Sequence, residues 1–355
     1  MLVNAIPMGG KRIGPGCPVY VIAEAGVNHN GDLDLALALV DAAARAGADA
    51  VKFQTFQAEA LVSPFALKAG YQSRNVGEAG SQLDLLKALE LPLEAFRSIQ
   101  RRCVQAGIQF LSTPFDLASA LFLRELGAPA LKIGSGELTH LPLLAELAAL
   151  DRPILLSTGM ATLEEVGAAL ACLRDHGGPQ VALLHCLSTY PAPPDEYNLR
   201  AITTLARAFG VPVGLSDHTE GCEVALGAVA LGAVLVEKHF TLDRALPGPD
   251  HPASMDPAAL ADLIRRLRLL ESALGDGVKR PMPSELNTRD VARRSVVLAR
   301  ALPRGRSLEP GDLALKRPGT GLPPTLLEAL MGRVLVRDLP DGAVLAWEDL
   351  EGGTP

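Results

Sequence analysis

The sequence has no uncharged apolar run of about 18 residues, the length a helix needs to cross a bilayer, so no membrane contact is expected. It has no excess of positive charge. Lys and Arg total 33 against 40 Asp and Glu, a formal net charge of −7, which argues against nucleic acid as a partner. It has no CxxC pair. Cys17, Cys103, Cys172, Cys186 and Cys222 are scattered and odd in number, which reads as reduced thiols in a cytoplasmic protein. Met1 to Lys11 contains no long apolar stretch, so no signal peptide is expected. Disorder is excluded by composition: 48% of residues are hydrophobic and 21% charged. At 355 residues the chain exceeds a single α/β barrel of about 250, leaving roughly a hundred residues for something else.

What is present is a recurring unit. From Tyr20 to Ala273, a short apolar run is followed by a polar turn and an Ala/Leu-rich stretch with helical spacing. The runs are Val19–Ala23, Ala50–Phe53, Gln109–Leu111, Ala130–Ile133, Pro153–Leu156, Val181–Leu184, Val211–Leu215 and Val234–Val236. Asp32, Asp116 and Thr162 are placed to cap helix starts, and Gly47, Gly107, Gly127 and Gly232 to end helices. Strand–helix alternation demands a parallel sheet, and eight units predict a closed (β/α)8 TIM barrel, with an open doubly wound sheet as the rival. The predicted catalytic domain spans 1–280. A Gly/Pro/polar linker follows at 281–290, and a small β-rich domain at 291–355. Charges balance from residue 281 onward, so the net negative charge falls on the barrel. Arg293, Arg294, Arg300, Arg304 and Arg306 form a run without acids, which reads either as a solvated face or as an inter-subunit surface.

Active sites of such barrels lie at the C-terminal ends of the strands. All eight ends here are polar. They carry Glu24, Lys52 with Gln54, Thr113, Lys132 with the GSGE turn, Ser157, His185 to Tyr190, Ser216 to His218, and Glu237 to His239. Charges at such positions must be paired or lose heavily on burial, so the pattern favours a charged substrate. Lys52 and Lys132 supply positive charge. Thr113, Ser135, Ser157 and Ser216 supply hydroxyls near helix starts, a setting that suits phosphate. Each serine alone could be an ordinary helix cap, and either lysine alone a Schiff-base nucleophile. His218 and His239 end neighbouring strands and suit a divalent metal with open positions for water and substrate, although either could be a hydrogen-bonded core group. Two histidines do not fix which ion binds. His29, His140, His176 and His251 show no matched partner, and His140 and His176 read as surface or capping residues.

The motifs VIAEAGVNHNGD, DAVKFQTF, KIGSGELT, LSTGMAT, LLHCLSTYPAP, VGLSDHTEG, EKHFTLDRALPGPDH, GDGVKRPMPSE, ARRS and KRPGTG, in this order, resemble the sialic acid synthases and their relatives making legionaminic and pseudaminic acids. The resemblance runs from about Val19 to Arg337 and implies a TIM barrel followed by an antifreeze-like (SAF) domain. It implies condensation of phosphoenolpyruvate with an open-chain N-acetylated amino sugar, typically N-acetylmannosamine, with a divalent metal. Mn2+ is expected, and Mg2+ or Co2+ could serve. It implies phosphoenolpyruvate against Lys52, Thr113, Lys132, Ser135, Ser157 and Ser216, and also against Ser188, where the family has Asn. It puts the metal on His218 and His239, and the sugar near Glu24, Gln54, Tyr190 and Asp250. It implies a domain-swapped homodimer in which Arg317 reaches the partner's sugar.

The reaction needs a general acid/base. Glu137, which follows the GSG turn, is the first expectation, with Glu24 and Glu237 as alternatives. The competing reactions are a legionaminic or pseudaminic acid synthase acting on a dideoxy diacetamido sugar, and a Schiff-base aldolase using Lys132 or Lys52.

Overall fold

The computed structural model describes residues 4–353, which divide into two compact units between Gly275 and Asp276. The first unit opens with a short hairpin, β1 (Ile6–Met8) and β2 (Lys11–Ile13). Eight parallel strands follow: β3 (Tyr20–Gly26), β4 (Ala50–Thr55), β5 (Gln109–Pro114), β6 (Leu131–Ile133), β7 (Ile154–Ser157), β8 (Val181–Cys186), β9 (Val213–Asp217) and β10 (Leu235–His239). Their order in the sheet is β5-β4-β3-β10-β9-β8-β7-β6, and the two end strands lie side by side, so the sheet closes into the expected TIM barrel. The open doubly wound alternative is thereby excluded.

Local chemistry explains the element ends. The Asp32 carboxylate accepts from the N–H groups of Asp34 and Leu35 to start helix Leu33–Ala46, and Gly47, at φ +88°, ends it in a conformation that Ala would resist. Asp116 caps Leu117–Glu125, and Thr162 with Glu165 forms a reciprocal cap on Leu163–Asp175. Several strands run further than the apolar pattern predicts. Polar residues at their C-terminal ends still belong to the ladder, because alternate positions face the barrel lumen, where charge can be matched.

That alternation sorts the lumen into two layers. Tyr20 and Ile22 of β3, Ala50 of β4, Leu111 of β5 and Leu155 of β7 form an apolar floor, which Ile6, Met8 and Ile13 of the hairpin seal from below. Gly214 of β9 is required here: a Cβ would sit 2.4 Å from the Leu235 side chain. Two residues further along the strands the lumen turns polar.

The second unit differs from the predicted boundaries. Residues 281–290 are not an irregular linker. A 3-10 turn over Pro283–Glu285 leads into helix Leu286–Ala292, and the Met282 N–H donates to the Glu285 carboxylate at 2.8 Å. The unit contains one antiparallel pair, β11 (Ser295–Leu298) and β12 (Leu313–Lys316), and is otherwise built from turns and single bridges around a leucine core. It is internally repeated. Arg300, Leu302, Pro303, Gly305, Leu308, Asp312 and Leu313 recur at the same spacing as Arg337, Leu339, Pro340, Gly342, Leu345, Asp349 and Leu350. The halves meet where Leu302 and Leu339 exchange backbone hydrogen bonds of 2.9 and 3.0 Å. Arg300 and Arg306 pair with Asp312 within this unit, so the arginine run is partly architectural.

Candidate active site

The polar layer of the barrel opens into a cavity of about 250 Å³. Its lining brings together Glu24, Lys52, Gln54, Thr113, Lys132, Ser135, Ser157, Ser188, Tyr190, Ser216, His218, Glu237 and His239. A row of buried charges crosses it. Lys52 Nζ lies 2.6 Å from Glu24 Oε2 and 3.7 Å from Glu237 Oε2, and Lys132 Nζ lies 3.4 Å from Glu237 Oε1. Lys52 also donates to Thr113 Oγ1 at 3.0 Å, Ser216 to Glu237 Oε1 at 2.9 Å, and Gln54 to Glu24 Oε1 at 3.4 Å.

Electrostatics set these groups apart. Burial pushes the Glu24 carboxyl up to about 7, against the opposing pull of Lys52. Burial would also raise Glu237, but Lys132 and Lys52 outweigh it and hold that carboxyl well below the usual range. Burial pulls the Lys132 ammonium down. Lys52 feels the same burial, yet Glu237 and Glu24 hold it above its ordinary value. Two carboxylates in one cavity are thus shifted in opposite directions, a separation that suits one as a proton carrier and the other as a fixed charge.

The two imidazoles are neighbours, with ring centroids 5.3 Å apart and planes inclined at 58°, and the Tyr190 ring lies tilted 4.1 Å from His218. His218 Nδ1 donates to the Leu187 carbonyl at 2.7 Å, which leaves Nε2 with a lone pair. Burial holds His239 far below its ordinary pKa, so it is a neutral imidazole, and its Nδ1 has no partner among the described residues. Against burial, Cys186 and the Leu187 carbonyl hold the His218 pKa above its ordinary value. Two imidazoles on one cavity wall, each able to offer a ring nitrogen, are a donor set that fits a divalent cation. Among the described residues no group of three or more His, Cys, Asp or Glu is arranged to hold a metal, so further ligands would be water or substrate.

Three of the expected site residues lie elsewhere. Glu137 ends the 3-10 turn Ser135–Glu137. Successive residues of such a turn point about 120° apart, so Ser135 lines the cavity and Glu137 does not. Asp250 is buried beside Tyr71 and His218 rather than on the cavity lining. Arg317 belongs to the second unit and is exposed after β12. Lys238 lies on the outward face of β10, where it pairs with Asp217 at 2.8 Å. His140 caps a helix by accepting from Leu143 N–H, as expected. His251 does have a partner, Asn30.

Phe115 and Met160 also line the cavity, and Tyr71 packs 4.7 Å from Tyr190. No spacing announces them. Tyr71 belongs to a helix within the long β4–β5 connection, and Met160 sits at φ +64°, a backbone state that sequence does not signal for Met.

No helix among the described residues is long and apolar enough to cross a membrane. The NeuB family matches residues 39–279, and the SAF domain matches residues 293–351. The chain is 46% identical over 347 residues to the N,N'-diacetyllegionaminic acid synthase of Legionella pneumophila, covering 97% of this chain and 98% of that one. It is 44% identical over 327 residues to the enzyme of the same name from Campylobacter jejuni, covering 92% and 98%. The solved N-acetylneuraminic acid (sialic acid) synthetase of Leptospira borgpetersenii superposes with a TM-score of 0.72 at 36% identity, covering 81% of this chain and 95% of that one. These matches span almost the whole chain, and the chain belongs to the NeuB family of enzymes, the synthases of sialic, legionaminic and pseudaminic acids.

Proposed function

We propose that the chain condenses phosphoenolpyruvate with the open-chain aldehyde of a diacetamido amino sugar, releasing phosphate and a nine-carbon 2-keto acid. The observation that carries the reaction class is the buried lysine pair, Lys52 and Lys132, held at the cavity by Glu24 and Glu237 and able to offer positive charge to a small anionic substrate. The choice of a diacetamido sugar over N-acetylmannosamine is supported by two relatives of 46% and 44% identity that carry the legionaminic name.

In this reading Lys52 and Lys132 hold the phosphate and carboxylate, aided by Thr113, Ser216 and the partnerless Ser157 hydroxyl. Ser135 Oγ accepts from the Gly159 N–H at 3.0 Å, and with Ser188 it crowds Gly159 so closely that a Cβ would lie 2.3 Å from Ser188 Oγ. That small-residue cradle suits a phosphate edge. A bound divalent cation, Mn2+ in this proposal, supplies Lewis-acid polarisation of the aldehyde oxygen from His218 and His239.

Carbon C3 of phosphoenolpyruvate forms the new bond to the aldehyde carbon, and the aldehyde oxygen takes up a proton. The C2=C3 electron pair makes that bond and leaves C2 electron-poor; water adds there with loss of one proton, and the C2 hydroxyl then collapses to C=O as the C–O bond to phosphate breaks and phosphate takes the second proton. Glu24, raised toward neutrality, is the group suited to give and take these protons. Glu237 stays ionised and keeps both lysines in place. Tyr190, Gln54 and Asp250 form the sugar end. The proposal extends to a cytoplasmic homodimer in which Arg317 of one protomer completes the site of its partner.

The experiment supplies phosphoenolpyruvate, Mn2+ and either a diacetamido sugar or N-acetylmannosamine, and follows phosphate release. Release should require both substrates, with the diacetamido sugar preferred by at least about tenfold in kcat/KM. The lowered Lys132 gives a Schiff-base aldolase its one foothold. Borohydride trapping on Lys132, with activity insensitive to chelator, would replace the synthase reading by that one.

A further inference from the structure

The loop after β3 and the loop after β10 are joined by polar groups that the reaction above does not use. Their orientations follow from their partners. Asn30 Nδ2 donates to the Pro247 carbonyl at 2.7 Å, so Asn30 Oδ1 is the atom that meets His251 Nε2 at 3.2 Å. In the neutral ring Nε2 therefore carries the proton and Nδ1 is bare; of the two acceptors within reach of the Thr241 hydroxyl, His251 Nδ1 at 2.6 Å and the Asp243 carbonyl at 3.1 Å, the nearer takes its single proton. The Asp243 N–H donates in turn to Thr241 Oγ1 at 3.3 Å. Every link runs one way, from Asp243 through Thr241, His251 and Asn30 to Pro247. This ordering holds only for a neutral His251. The ring is fully buried, and burial lowers its pKa.

Two more observations bear on the same segment. Gly248, at φ +149°, closes over the His251–Asn30 bond, where a Cβ would lie 2.7 Å from His251 Cδ2 and 2.8 Å from Asn30 Oδ1. Ser254 Oγ donates to the Asp250 carbonyl at 2.7 Å, and Asn28 Nδ2 donates to Ser254 Oγ at 2.9 Å. The backbone around Asp250 is thus pinned on both sides. Its carboxyl is held on one side only: Asp250 is buried and hydrogen-bonds the Tyr71 side chain, but its Oδ1 has no partner among the described residues. A carboxylate with a fixed backbone and an open buried oxygen is built to accept from a donor that arrives with a ligand.

We propose that Asn30 and His251 are positioning residues for the amino sugar: the Thr241–His251–Asn30 relay, covered by Gly248, holds Asp250 so that its open oxygen accepts from a hydroxyl or amide N–H of the sugar. The inference rests on the reading of Asp250 as a sugar contact.

Steady-state kinetics with phosphoenolpyruvate, Mn2+ and the diacetamido sugar test it in three variants. Asn30→Ala removes the centre of the relay. Gly248→Ala removes no polar group but wedges His251 from Asn30. Asp250→Asn tests the contact itself. Asn30→Ala and Gly248→Ala should each raise the sugar KM about tenfold, while kcat and the phosphoenolpyruvate KM stay within about twofold. A purely structural role would instead lower active fraction and thermal stability and leave the sugar KM alone. If Asp250→Asn raises the sugar KM and the two relay variants, folded, do not, the relay proposal is overturned. If Asp250→Asn has no effect on sugar KM, the sugar contact is wrong and the inference falls with it. Should Asn30→Ala fail to fold, Gly248→Ala decides alone.

Discussion

Buried carboxylates occur in both units, and they are held in opposite ways. In the second unit Asp312 accepts from Arg300 on one oxygen and from the Glu309 N–H on the other, and its repeat counterpart Asp349 does the same with Arg337 and the Ala346 N–H. Each is fully buried, with both oxygens satisfied. In the barrel Glu237 is equally buried, yet its Oε2 has no hydrogen-bond partner among the described residues and the nearest ammonium is 3.7 Å away. The Ser157 hydroxyl, on the cavity lining, is left open in the same manner. Burial of charge therefore does not mark a site. Burial with bonding capacity left over, facing a cavity, does.

Substitutions should separate the two kinds. The largest effect belongs to the imidazole pair: His218→Ala should abolish turnover and Mn2+ binding while thermal unfolding stays near the wild-type curve, and exhaustive chelation of the wild type should silence it until Mn2+ is restored. Full activity after chelation would remove the metal from the reading. Next comes Lys132→Ala. Loss of one charge-assisted hydrogen bond costs about 1.5–3 kcal/mol, on the order of ten- to a hundred-fold in kcat/KM for phosphoenolpyruvate. Lys279→Ala, on the second unit, should change nothing measurable in the same assay.

The counterpart test is Asp349→Ala. Loss of the Asp349 hydrogen bonds to the half-buried Ala346 N–H and to Arg337 should cost about 1–2 kcal/mol, visible as a drop of a few degrees in the unfolding of the second unit by calorimetry. Phosphoenolpyruvate KM should not move. A variant that loses phosphoenolpyruvate affinity without losing stability would erase the contrast between the two units.

The smallest effect is a pH dependence. Burial raises the Asp250 carboxyl to about 6 from an unfolded value of 3.8. Between those values the folded state binds the extra proton, so Asp250 adds stability as pH falls from about 6 toward 4 and adds none above 6. Asp250→Asn should therefore flatten the midpoint-versus-pH curve across that window, measured by thermal melts without substrate. An unchanged slope would mean that Asp250 is solvated in the folded state.

Much of the barrel is legible in the sequence because it is periodic. Lys52, Thr113, Ser157, Ser216 and Glu237 follow apolar runs at strand spacing, and the barrel rule turns strand ends into one cavity. What escapes is set by single turns or by distant pairing. Glu137 follows a motif that binds anions, yet one 3-10 turn rotates it off the lining. The strands of the hairpin β1–β2 are three residues each, too short for alternation to show. The relay joins Asn30 to a residue more than two hundred positions away, which no local pattern reveals. The repeat in the second unit stands openly in the sequence, but its matched residues are separated by turns, so a reading in terms of Val and Leu runs passes over it.

The hairpin beneath the barrel has a consequence for traffic. Ile6, Met8 and Ile13 stop the lower end of the lumen, and its cavity lies at the C-terminal ends of the strands. On the proposed reading phosphoenolpyruvate occupies the bottom, against Lys52 and Lys132, and the sugar lies above it, by Tyr190 and Asp250. Whatever lies deepest must arrive first and leave last. On that reading the reacting sugar would also bar the exit, and phosphate freed beneath the new acid would leave after it.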